Sequence, residues 1–427
     1  MKHANSFTLI GVLTATCALA AHIEEITILP SDHPAIQYAQ TPPDDPVARL
    51  GKRIDSGEVK LGYSPEFGYL PALLKQFGLN IDSQMLVFSK TSFQATKIGP
   101  RAPRALYFAD DVMMGFVQTG DVLEFAALDP KQGFNFYTLD IAKADKPEFV
   151  RRDTCLQCHQ GLSTLGVPGI LVSSVYPGAD GMPAFRGNAM ISDHRTALDH
   201  RWGGWYVTGT HGSQSHMGNA VAHNSAQPQF LDIKGTQNLT SLEKKFDTSK
   251  YLAPTSDIVA LMTLEHQTRM TDLMIRVGWD ARMARQEGKL DDAARTRLDG
   301  EVEDLVTYML FADEAKLWDP IEGVSTFTKT FPERGPRDQQ GRSLRDFDLQ
   351  KRMFKYPLSY MIYSPAFDGM PDAVRDRVYQ RLFDVLSGKD QSDRFARLSA
   401  DDRKAVLEIV RQTKPNLPAY WTAGTPQ

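Results

Sequence analysis

The sequence predicts an α+β protein, with a β-rich N-terminal region followed by an all-helical C-terminal region. Three observations predict it. Between Met85 and Asp140, short runs rich in β-branched and aromatic residues alternate with turn residues such as Gly120-Asp121 and Asp129-Pro130. From Asp257 onward, apolar residues recur at helical spacing over long stretches. The chain has 427 residues, 42% hydrophobic and 23% charged, enough to bury sizeable cores and too apolar for disorder.

The elements divide into four segments. Residues 1–20 read as a signal peptide: Lys2 and His3 precede a mostly apolar or small stretch, and Ala18-Leu19-Ala20 fits the small-x-small cleavage rule before Ala21. Export to the bacterial periplasm is therefore expected. Residues 21–60, dense in proline, read as an extended lead-in. Residues 61–250 are expected to be β-rich. They open with one short helix over Leu70–Phe77, ended by Gly78, and strands are expected at Met85–Ser89, Ala105–Phe108, Gly115–Val117, Val122–Leu128, Phe134–Leu139, Ile170–Tyr176 and Trp202–Thr208. The helical region, 251–427, should hold a helix from Asp257 to about Arg282, capped by Ser256 and striped by Val259, Met262, His266, Met270, Leu273 and Val277. Leu290–Phe311 reads as a second helix, and Gly323–Ser343 as a long loop. Residues 346–365, 372–387 and 399–413 read as further helices, the last opened by the capping box Ser399-x-x-Asp402. The boundary between the two regions falls near 240–255.

Charge narrows the possible partners. Lys and Arg total 48 against 52 Asp and Glu, so the basic surplus that grips nucleic acid is missing. No apolar run of about 20 residues follows the N-terminus, so no transmembrane segment is expected.

The three cysteines carry the chemistry. Cys17 lies in the expected signal peptide and leaves with it, so the mature chain keeps Cys155 and Cys158. They stand in Cys155-Leu156-Gln157-Cys158-His159, the C-x-x-C-H order that attaches c-type haem. Each thiol forms a thioether with one haem vinyl, and positions 155, 158 and 159 share one face of a helical turn. His159 is thereby held beneath the iron as proximal ligand. With three Cys and ten His in the chain, chance gives this pattern in roughly one of two thousand such sequences. A thioredoxin-like redox pair would need a βαβ setting that the flanks do not supply. A zinc site would need further ligands, and no second Cys pair exists.

The sixth iron ligand decides between functions. Met182, in Gly181-Met182-Pro183, lies 23 residues after His159 in a loop. Met217 sits among His211, His216 and His223, and His266 lies on the apolar stripe of a predicted helix. The distal candidates are therefore Met182, Met217, His211, His216 and His266, each of which also reads as ordinary packing. Arg151, Arg152 and Arg201 could meet haem propionates, and Trp202 and Trp205 could wall the porphyrin or belong to a β core. Asp193-His194 and Asp199-His200 are adjacent pairs, and neighbours on a strand face opposite ways, which argues against a carboxylate–imidazole pair.

Through Cys155–His159 the chain resembles the cytochrome c family, and Gly181-Met182-Pro183 is weakly similar to that family's distal loop. The stretch Arg201-Trp202-Gly203-Gly204-Trp205-Tyr206-Val207-Thr208-Gly209-Thr210-His211-Gly212 looks like large, uncharacterised exported bacterial haem proteins with one C-x-x-C-H. The resemblance implies one covalent haem c, iron binding and a redox role. It does not carry over the compact all-α cytochrome c domain, because the residues before the motif read as strands. Electron transfer in the periplasm, with a redox partner protein or small molecule not identified by the sequence, is the leading expectation. A haem-dependent oxidoreductase, peroxidase- or oxygenase-like with an open sixth position, is the alternative. A haem-based sensor or binding module is the third.

Overall fold

A computed structural model describes residues 27–184, 189–224, 226–288 and 291–422. The expected signal peptide with Cys17, and Leu290 at the expected start of the second long helix, lie outside the described residues. The protein has a mixed α+β fold. Helix α1 (Pro46–Asp55) and α2 (Leu70–Phe77) precede β1 (Met85–Val87), β2 (Arg104–Phe108), β3 (Val112–Phe116), β4 (Val122–Asp129), β5 (Gly133–Asp140) and β6 (Phe149–Arg151). A 3-10 turn leads into the one-turn helix α3 (Leu156–His159), then β7 (Val172–Ser174), β8 (Met190–Ser192) and β9 (Trp205–Tyr206). The remaining elements are helices: α4 (Ile258–Gln286), α5 (Asp292–Met309), α6 (Phe327–Glu333), α7 (Pro365–Asp368), α8 (Asp372–Leu386), α9 (Ala400–Thr413) and α10 (Ala419–Thr422).

The main sheet runs in the order β6-β5-β4-β3-β2-β1-β9, every pair antiparallel, and β7-β8 form a separate hairpin. Both faces of the sheet are covered. Leu86, Tyr107, Met114, Phe125 and Leu139 point to one side, where α1 and α2 supply Val47, Leu50, Leu70 and Leu73. Burying each such side chain stabilises by about 2 kcal/mol. Met85, Phe108, Met113, Ala126, Leu128, Phe134 and Phe136 point to the other side and join one core with α4 and the following helices. Double coverage explains why these strands read as apolar runs rather than as alternating patterns. It also means that the β-rich and helical regions share a core across the expected boundary.

Local chemistry sets the element ends. Asp45 caps α1 by accepting from Ala48 N–H, with Pro46 at the first position, and it also accepts from Asn135 Nδ2 (3.0 Å) and Tyr137 OH (2.6 Å) on β5. The expected extended lead-in therefore contains a helix, announced by an Asp-Pro start signal. Gly78 ends α2 with φ +63°, a conformation that costs glycine little. Asp257, next to the expected Ser256, caps α4, and the expected single stripe becomes a helix buried on nearly all sides. The expected helix over 346–365 is instead a Phe347–Phe354 bridge, a 3-10 turn at Tyr360–Tyr363 and the start of α7. Pro357 explains the difference, since it lacks an N–H and turns Tyr356 away from the α region. Within the expected loop 323–343, α6 forms. The Ser399–Asp402 capping box is present on α9.

Candidate functional site

The C-x-x-C-H turn grows from the sheet's edge strand. Arg152 N–H donates to the Phe136 carbonyl (2.8 Å) just beyond β6, and Arg152 Nε donates to Thr138 Oγ1 (2.9 Å). The chain then coils through Asp153–Cys155 and α3, which sets Cys155, Cys158 and His159 on consecutive turns. Both thiols are free of any disulfide, Cys155 half-buried and Cys158 exposed. Burial, reinforced by the Glu124 carboxylate, pushes the Cys155 thiol up and keeps it protonated.

His159 is held by its main chain and by its ring. Gly169 N–H donates to the His159 carbonyl (2.8 Å), and the Gly169 carbonyl lies 3.0 Å from His159 Nδ1. A carbonyl only accepts, so Nδ1 carries the proton and Nε2 presents its lone pair. Burial keeps this imidazole below the usual histidine range, against the pull of the Gly169 bond. Phe136 packs on the ring, with centroids 4.7 Å apart. The tautomer and the ring orientation are thus both set.

Charged residues absent from the expected set surround the turn. Arg104 Nη1 and Glu124 Oε2 pair at 2.8 Å, and Glu124 Oε1 accepts from Ser92 Oγ (2.8 Å) and Gln94 Nε2 (2.7 Å). Their charges act on Cys155 and His159. Arg104 Nε is buried with no hydrogen-bond partner among the described residues. Sequence reading missed this pair because strand registers, not spacing along the chain, bring Arg104 and Glu124 to one face. Phe136 and Gly169 left no residue-type signal at all.

The five distal candidates occupy different surroundings. Met182 is 47% exposed in a turn closed by Gly178 and Asp180, and among the described residues its sulfur has no hydrogen bond. Met217 is buried, its sulfur accepting from Ser174 Oγ (3.4 Å). His211 and His216 are buried with ring centroids 4.7 Å apart, and each has an unpartnered Nδ1. His211 Nε2 accepts from Asn238 N–H (3.1 Å). His266 has both nitrogens engaged, by His194 Nδ1 (2.8 Å) and Ser359 Oγ (2.7 Å). Among the described residues, no hydrogen bond or ring contact joins any of the five to His159.

The expected supporting residues also separate. Arg201 is buried and fully committed: it pairs with Glu265 (3.1 Å) and donates to the carbonyls of Thr196 and His194. Trp202 and Trp205 are core residues, the latter donating to Ser173 O (2.9 Å). Arg151 donates to Tyr38 O, whereas Arg152 remains exposed beside the motif. Asp193 binds Arg195 rather than His194. Asp199 does reach His200, at 2.7 Å on the surface.

No family model, curated protein or solved structure matches the chain. Among the described residues, no group of three or more His, Cys, Asp or Glu could hold a bare metal ion, and no helix is long and apolar enough to cross a membrane. The residues present do fit a covalently attached haem: two unpaired thiols, a neutral imidazole with a free Nε2, and an unpartnered guanidinium N–H at Arg104.

Proposed function

We propose that this protein is an exported c-type cytochrome-like protein that carries one haem c and serves electron transfer in the bacterial periplasm. The carrying observation is the contact of His159 Nδ1 with the Gly169 carbonyl (3.0 Å), which leaves Nε2 bare, immediately after two unpaired thiols three residues apart. A ligating imidazole needs a bare nitrogen facing the metal and a bonded N–H behind it. Haem supplies a one-electron iron couple when bound.

The chain's own residues divide the work. Cys155 and Cys158 would hold the haem through thioethers to its two vinyl groups, and Cys158 is the more exposed of the two. His159 Nε2 would ligate the iron, while Phe136 and Gly169 hold the ring in place. Arg104 and Arg152 offer N–H donors to the propionates. Among the candidates for the sixth ligand, Met182 is exposed and His216 Nδ1 has no partner among the described residues, whereas His211 Nε2 already accepts from Asn238 N–H and the His266 nitrogens and Met217 sulfur are bonded.

Visible and resonance Raman spectra of the purified protein test the electron-transfer reading. A low-spin six-coordinate haem in both oxidation states is expected, converted to another spin state by Met182→Ala or by substitution of His216. A high-spin ferric haem that binds peroxide or cyanide would replace electron transfer with a haem-dependent oxidoreductase activity.

A further inference from the structure

Behind His159 lies a buried acid on another element. Asp272, on α4, is 1% exposed, and its Oδ1 accepts from Ile170 N–H at 3.3 Å. Gly169 makes this approach possible, since a Cβ there would stand 2.2 Å from Asp272 Oδ1 and 2.9 Å from Thr164 Cβ. The Ile170 N–H and the Gly169 C=O are the two ends of one peptide group. The carboxyl of Asp272 therefore grips one end while His159 Nδ1–H binds the other.

We propose that Asp272 is a positioning residue for His159, acting through the 169–170 peptide as a carboxyl–peptide–imidazole relay that fixes the ring's tautomer and sets its strength as a metal ligand. Hydrogen bonds in series polarise one another. An acceptor at Ile170 N–H makes the Gly169 carbonyl a stronger acceptor, which draws on the Nδ1 proton and makes Nε2 more electron-rich. Acids and carbonyls behind a ligating histidine tune metals in this way; here the acid works one peptide removed. Arg269, one turn earlier on α4, donates to Ser163 O and lies 4.0 Å from Asp193, so the same helix also braces the loop after the motif. The tuning of the iron rests on the proposed function, whereas the control of the tautomer does not.

Two readouts on the full chain test the relay. In the Cys155→Ser/Cys158→Ser protein, which cannot attach haem, ¹⁵N NMR of the His159 ring should show the Nδ1–H tautomer alone. Asp272→Val should give a tautomer mixture, and Asp272→Asn, which keeps an acceptor oxygen, should restore the single form. Asp272→Ser, too short to reach Ile170, replaces Asp272→Val if that chain does not fold. In the haem-bearing protein, Asp272→Val should raise the midpoint potential by about 59 mV, a tenfold change in the one-electron equilibrium, while Asp272→Asn stays within threefold. Unchanged tautomer and potential in Asp272→Val, or equal shifts in both variants, would overturn the relay. A wild-type chain without covalent haem would overturn the proposed function instead, and the tautomer result would then decide the relay by itself.

Discussion

His159 and the paired histidines His194 and His266 lie in one protein but in opposite circumstances. His159 sits at the sheet's edge with one nitrogen bonded and the other free. His266 and His194 lie in the core, Nδ1 to Nδ1 at 2.8 Å, stacked with Tyr308 and Phe311, and Ser359 takes the remaining His266 nitrogen. Beside them Glu265 and Arg201 form a buried ion pair. Burial holds His266 down at about 3, and it pushes the Glu265 carboxyl up against the opposing pull of the Arg201 guanidinium. The difference lies in availability, and proximity to apolar residues does not distinguish the two. In the core pair both His266 nitrogens are spent inside the fold, while His159 keeps Nε2 in reserve.

Several substitutions would break or sharpen that contrast. The largest expected effect is Glu265→Ala, which leaves the Arg201 guanidinium buried without a counter-charge and should cost about 3–5 kcal/mol in urea unfolding. By the same assay, Cys155→Ala/Cys158→Ala in haem-free protein should change stability by under about 1 kcal/mol. His266→Ala comes next: it opens a cavity and strips partners from His194 and Ser359, at about 2–4 kcal/mol. His159→Ala, at a half-buried site, should cost clearly less.

A pH series tests the core histidines with the sign fixed by linkage. Between pH 6.5 and about 3 the unfolded chain protonates His266 and the folded chain does not. Wild type therefore loses stability relative to His266→Gln as pH falls, and the gap should narrow by up to about 1.4 kcal/mol per pH unit. A gap constant from pH 7 to pH 4 would show that His266 titrates normally. The smallest effects belong to the surface. Ser399→Ala should cost about 1 kcal/mol through the lost cap on α9. Met182→Ala should change haem-free stability by under about 0.5 kcal/mol.

Much of the fold was legible in the sequence because local signals and packing agreed. β-branched and aromatic runs placed β1, β2, β4 and β5, while β3 begins three residues before the expected Gly115; Gly78 ended α2, and Ser399-x-x-Asp402 opened α9. Legibility failed where one residue carried the message: Asp45-Pro46 starting α1, and Pro357 stopping a helix within 346–365. At the site, the Cys155–His159 pattern was readable because its two thiols and its imidazole stand within five consecutive residues. Arg104, Glu124, Phe136, Gly169 and Asp272 were not. Strand register, a backbone carbonyl and a helix from the far half of the chain bring them to the motif, and none of these leaves a pattern along the sequence. The commitment of both His266 nitrogens was equally hidden, since its partners lie 72 and 93 residues away.

The central claim is the covalent haem. The full chain should be expressed in a cell competent for haem attachment, and its mass and haem absorbance followed after acid–acetone extraction. Wild type is expected to keep one haem per chain through extraction, and Cys155→Ala/Cys158→Ala to lose it entirely. A wild-type chain at the mass of the bare polypeptide, or a double variant that still holds its haem, would contradict the claim.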